Sequence, residues 1–164
     1  MLVLVTPPTA LAVSLAEVKA HLRVDGNDED QAIETLLKAA VASLDGPDGT
    51  LGRALAPQTL ELQLERLAVC RSIRLPLPPC VAVSSIKITD HMGAEATVDP
   101  SIYRLVSGGS GLVAFVELAY GKSWPAIREG SAAARIRYTA GYEAGALPPP
   151  IRTAILMRVA HLFE

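Results

Sequence analysis

Between Leu44 and Gln58 the spacing of apolar residues changes from the helical period of about 3.6 to the strand period of about 2, so the chain must combine both kinds of structure. Upstream, Ile33, Leu36, Leu37, Ala40, Val41 and Leu44 recur at i, i+3, i+4, i+7, i+8 and i+11, one continuous stripe for burial. Asp45-Gly46-Pro47-Asp48-Gly49 then stops the helix. Downstream, QTLELQLE (58–65) sets Leu60, Leu62 and Leu64 on one side and Thr59, Glu61, Gln63 and Glu65 on the other, which predicts a strand with one wet face. The expected class is α+β.

The first helix, about 14–24, is announced by Ser14 and Glu17, which form a capping box, and by Val13 and Val18 at the positions of a hydrophobic staple. Asp25-Gly26-Asn27 ends it, and a second helix, about 28–45, begins at Asn27 or Asp28 with acidic residues in its first turn. After 58–65, short strands are expected at 73–75, 81–90, 102–106, 112–120 and 134–140. A phase slip between Val83 and Ile86 predicts a bulge, Met92-Gly93 a hairpin, and Pro76–Pro79 and 107–111 linkers. The reading is a small antiparallel sheet or sandwich, about 58–140, inserted between the helix pair and a third helix, about 150–164, in a single domain spanning 1–164.

Pro148, Pro149 and Pro150 extend the chain and preset a first helical turn. The helix after them carries two apolar faces: Ile151, Ile155, Val159 and Leu162 on one, Leu156, Ala160 and Phe163 on the other, with Met157 adjoining both. A surface helix needs one such face, so the second is expected to meet the sheet or another subunit.

Composition narrows the function. Half of the residues are hydrophobic and only 4% aromatic, so the core is built from Leu, Val, Ile and Ala. A net charge of −2 offers no bulk attraction to phosphate backbones. The apolar N-terminus lacks a charged n-region and is broken at Pro7 and Pro8, and no stretch approaches the ~20 apolar residues of a membrane span, so synthesis in the cytoplasm without a membrane anchor is expected.

Candidate chemistry fails on spacing. Gly121-Lys122-Ser123 lacks the earlier glycine of a phosphate loop, since Val116 stands there, and Gly108–Leu112 lacks the last glycine of a nucleophile elbow. His21, His91 and His161 show no metal-ligand spacing, and Asp25, Asp28, Glu29 and Asp30 lack the order of a calcium loop. Cys70 and Cys80 are either reduced thiols packed near a sheet or a disulfide closing the IRLPLPP turn. Arg135 and Arg137 are expected on a wet face with Ile136 and Tyr138 inside, and Trp124 is either a plug at the sheet edge or an interface anchor.

The succession YGKSWPAIR (120–128), ARIRYTAGY (134–142) and PPPIRTAILMRVAHLFE (148–164) resembles the closing part of the head-tail connector (adaptor) proteins of long-tailed phages and gene transfer agents. SLAEVKAHLRVDGNDEDQAIETLLKAA (14–40) is similar to the N-terminal helix pair of that family, while the middle matches only in pattern. The resemblance implies a non-enzymatic structural virion protein without cofactor. Such a subunit forms a homo-oligomeric ring beneath the portal protein, extends the DNA channel and provides the tail-docking platform. Its expected partners are the portal protein and a tail terminator or stopper-type neck protein, with duplex DNA passing through unbound; its expected location is the host cytoplasm during assembly and then the particle neck. Related sequences continue past the last helix, where this chain reaches Glu164. The two-faced helix and the loop tryptophan make Arg152, Leu156, Met157, Arg158, Phe163 and Trp124 the candidate assembly interface. Alternatives are another neck or tail-completion protein of similar size, or a small hydrolase, which would require a buried cluster of Ser, His and Asp.

Overall fold

The computed structural model describes residues 1–67, 71–107 and 113–164. The elements run β1 (Leu2–Thr6), α1 (Leu15–Leu22), α2 (Asp30–Ala42), β2 (Gln58–Leu64), β3 (Ser72–Leu75), β4 (Cys80–Thr89), β5 (Glu95–Thr97), β6 (Tyr103–Ser107), β7 (Ala114–Leu118), β8 (Ala134–Ala140) and α3 (Pro149–Phe163). The fold is α+β, with two antiparallel sheets ordered β1-β2-β8-β4-β5 and β3-β7-β6.

The sheets pack face to face. Leu60 and Leu62, Ile86 and Ile88, and Ile136 and Tyr138 from the larger sheet share one buried cluster with Ile73, Leu75, Ala114 and Val116 from the smaller. Strand β8 is central, and its strict alternation places Ile136 and Tyr138 inside and Arg135 and Arg137 outside. The Tyr138 hydroxyl, with no apolar partner able to satisfy it, donates to the Pro76 carbonyl oxygen at 2.8 Å, and burial pushes its pKa upward. Register shifts in β4 between Val83 and Ser85 supply the bulge that the phase slip demanded. The β4-β5 hairpin turns at Gly93, at φ 85, while the Asp90 carboxylate accepts from the Met92 and Ala94 amides.

A second cluster belongs to the helices: Val13, Val18, Ile33, Leu37, Ala40, Leu44, Leu55, Tyr142, Leu147, Ile155 and Val159. Ser14 caps α1 by accepting from the Glu17 amide at 3.2 Å, and Val13 and Val18 are both buried beneath the cap. Helix α2 starts two residues later than expected, at Asp30 instead of Asp28. The reason is the Lys19 ammonium, which binds Asp30 at 2.6 Å along with the Asn27 side chain, so residues 27–29 remain a turn.

Two findings differ from the sequence expectations. Strand β1 precedes the helix pair and lines the outer edge of the larger sheet, so one strand lies outside the expected 58–140 span. Glu61, expected on a wet face, is only 8% exposed, because β1 sets Val3 beside it while Arg137 from β8 closes the other side at 2.8 Å. The Gln63 side chain donates to the Glu61 carboxylate at 3.0 Å; that bond and the Arg137 guanidinium outweigh burial and hold its pKa below the usual carboxylate range.

The two clusters meet at Gly141. Its φ of 119 suits glycine alone, its amide donates to the Pro79 carbonyl at 2.9 Å, and a Cβ there would collide with the Ala56 carbonyl. Beside it the Asp45 carboxylate accepts from the Leu55 amide at 2.8 Å and the Gln58 side chain at 3.1 Å, tying α2 to β2.

Gly141→Ala should therefore destabilise the protein by about 3 kcal/mol or more, read as a lower urea midpoint. Glu61→Gln should cost about 1 kcal/mol near neutral pH. Because the folded pKa of Glu61 lies below its unfolded value, its contribution is complete above the ordinary carboxylate pKa and is lost as pH falls through the depressed value. The stability gap between wild type and Glu61→Gln, measured by urea titration, should shrink on acidification from about pH 7 to about pH 3.

Candidate assembly surface

Helix α3 begins with Pro149 and Pro150 in its first turn, where a missing amide hydrogen costs nothing, and Pro148 precedes them in an extended conformation. Successive side chains advance by about 100°, so Ile155 and Val159 fall on one line and are fully buried against α1 and α2, with Ile151 and Leu156 half-buried beside them.

The six interface candidates separate. Met157 is 62% exposed, Phe163 37% exposed, and Arg158 is also exposed; together with Leu162, at 45%, they occupy the outer face and far end of α3. Leu156, expected outward, is packed against the helical cluster, and Leu162, expected inward, is exposed because the last turn reaches past that cluster. Arg152 serves inside the subunit, 3.5 Å from the Glu17 carboxylate on α1 and within 3.4 Å of the Gly145 carbonyl. Trp124 lies on the other cluster, packed against the sandwich and stacked on Tyr103 with ring centroids 6.4 Å apart. The structure does not bring Trp124 to α3.

Other candidate chemistry is dispersed. His21, His91 and His161 are exposed on separate elements, and among the described residues no group of three or more His, Cys, Asp or Glu side chains is placed to hold a metal ion. Burial pushes the Cys80 thiol up to about 11, away from reactive thiolate, while its pairing with Cys70 and the Gly108–Leu112 loop lie outside the described residues. Among those residues no helix is long and apolar enough to cross a membrane.

The family model for the Phage gp6-like head-tail connector protein matches residues 12–106, more than half of the chain. The chain belongs to this head-tail connector family. Solved structures resemble this connector over 99% of its length. "Neck of empty GTA particle computed with C6 symmetry" is 29% identical, with a TM-score of 0.80 and 83% of that chain covered. "Neck of native GTA particle computed with C12 symmetry" is 28% identical, with a TM-score of 0.79 and 82% covered. "Virion of native gene transfer agent (GTA) particle" is 29% identical, with a TM-score of 0.79 and 84% covered. No curated protein matches.

The burial of α3 sorts its residues for mutagenesis. Ile155→Asp places an unpaired charge in the helical cluster and should cost about 4 kcal/mol or more, enough to unfold a marginal domain. Met157→Asp in the connector should change stability by no more than about 0.5 kcal/mol, with half-buried Leu156→Asp falling between. Thermal and urea unfolding of the three variants test this order.

Proposed function

We propose that this connector is a subunit of a homo-oligomeric ring in the neck of a gene transfer agent or phage particle. The ring lies beneath the portal protein, extends the DNA channel, and presents a platform to a tail terminator or stopper-type neck protein. The observation that carries this reading is the likeness over nearly the whole chain to proteins solved in gene transfer agent necks with six-fold and twelve-fold symmetry. A six-fold or twelve-fold ring requires heterologous contacts between different patches of identical subunits, and the outer face of α3 offers one exposed patch to such a contact.

The role is structural and not enzymatic, without a cofactor. The polar groups fixed most tightly, Asp45, Glu61 and Lys19, join elements of the fold. A net charge of −2 suits a conduit through which a polyanion moves without adhering. The subunit is made in the host cytoplasm and ends in the particle.

Disruption of the gene, followed by electron microscopy of the particles, should give DNA-filled heads without tails, and restored expression should return a ring of this chain to the neck. Normally tailed particles from the disrupted strain would refute the reading. Purified connector should bind duplex DNA at physiological salt with a Kd on the order of 10⁻⁴ M or weaker, measured by fluorescence anisotropy; submicromolar binding would rule out passive passage.

A further inference from the structure

No charged side chain occurs before Glu17, and within that uncharged stretch Leu4, Val5 and Leu11 are each more than a third exposed. Strand β1 gives the fold little of its own side-chain surface. None of its residues is fully buried, and only Leu2 packs against the sandwich cluster. What it covers is different: its register sets Leu2 opposite Leu62, Val3 opposite Glu61 and Leu4 opposite Leu60, three residues that are at most 8% exposed. The edge of β2 needs a strand beside it, and that strand is held on no other side.

The segment after β1 is untethered. Among the described residues no backbone hydrogen bond joins residues 7–13 to the fold. Pro7 and Pro8 have no amide hydrogen to donate and keep the chain extended. An open groove of about 1040 Å³ lies between this segment and Val41 and Ala42 at the end of α2. The first firm anchor is Val13, buried in the helical cluster. Seven extended residues span roughly 25 Å, so Val13 can keep its place while β1 lies elsewhere.

We infer that β1 is exchanged between neighbouring copies in the assembled particle: Leu2–Thr6 of one copy pairs with β2 of the next, and residues 7–13 bridge the two. This contact rests on the ring reading above and specifies how its subunits join. A second copy is the occupant because the β2 edge already fits this strand residue by residue, so exchange reuses an existing contact and needs no new complementary surface. The linker, bound to its own subunit by no backbone bond, loses none when it crosses. Each copy gives a strand to one neighbour and accepts one from the other, a heterologous contact of the kind that closes into a ring. The uncharged segment that is exposed on an isolated subunit then runs between two subunits, where apolar surface is covered.

Thr6 and Thr59 are opposed across β1 and β2, and cysteine replaces threonine there with little change of size. Facing positions on paired strands lie within disulfide reach. Purified particles carrying Thr6→Cys and Thr59→Cys together, oxidised and run on a non-reducing gel, should give a covalent ladder of this chain extending beyond the dimer. Wild type and each single variant should give none. Disulfides closed within one chain, dimers alone, or no disulfide at all overturn the inference, since the strand is then retained, exchanged only in reciprocal pairs, or absent from β2. Splitting the two cysteines between co-produced chains of different tagged size provides a second measurement. These should form a covalent heterodimer, which a strand retained in its own chain cannot do, and its absence overturns the exchange. Electron microscopy of the same particles separates the two levels: a ring without the ladder defeats strand exchange alone, and necks without any ring of this chain defeat the proposed function.

Discussion

The close approach of Gly141 to the carbonyl of Ala56 is where the chain passes from sheet to helix, and the rest of the architecture is organised around it. Strand β8 lies at the centre of the larger sheet and ends at Ala140; two residues later, Tyr142 already belongs to the helical cluster. So abrupt a crossing needs a residue without a side chain at positive φ, and it gains a backbone bond to Pro79 at the start of β4. Leu55, Ala56 and Gln58 make the reverse passage alongside, held by Asp45. The hydroxyl of Tyr142 accepts from the Arg53 guanidinium at 3.1 Å, so both crossings are bonded to their surroundings. Beyond the joint, α3 packs on α1 and α2 through Ile155 and Val159, so any surface it carries is positioned by the helical cluster, not by a loose tail.

What was legible in the sequence was what local chemistry decides. The capping box at Ser14, the stripe from Ile33 to Leu44, the alternation in 58–64 and 134–140, and the bulge in β4 all follow from periods and turn residues within a few positions. Strand β1 was illegible for the opposite reason. Leu2-Val3-Leu4-Val5 is a continuous apolar run with no alternation, and its partners, Leu60 to Leu62, lie more than fifty residues away. The solvation of Glu61 depended on that same unseen strand, so one missing element produced two departures.

The burial of α3 was legible in part, and again distance decides. Helical angle alone placed Ile155 and Val159 on one line, and both are buried. Angle says nothing of where the partner helices end, so it put Leu162 inside; nor does it report the width of the buried stripe, which extends to Leu156. Trp124 and α3 were grouped because each looked interface-like, yet they belong to different apolar clusters. Grouping by residue type carries no information about proximity.

Exposed apolar side chains elsewhere on the molecule do not carry the same weight. Met92 at the hairpin tip and Tyr120 after β7 are more exposed than Met157, but each stands alone on a turn or loop, and isolated apolar exposure is ordinary for a folded surface. Met157 differs because it stands on a helix already fixed by Ile155 and Val159, whose far end also exposes Leu162 and Phe163. The inner line of α3 meets the demands of folding, and the outer line is free of them. A chain arranged this way can change its outer residues without losing its core, since Ile155 and Met157, two positions apart and on nearly opposite sides of α3, answer to different demands.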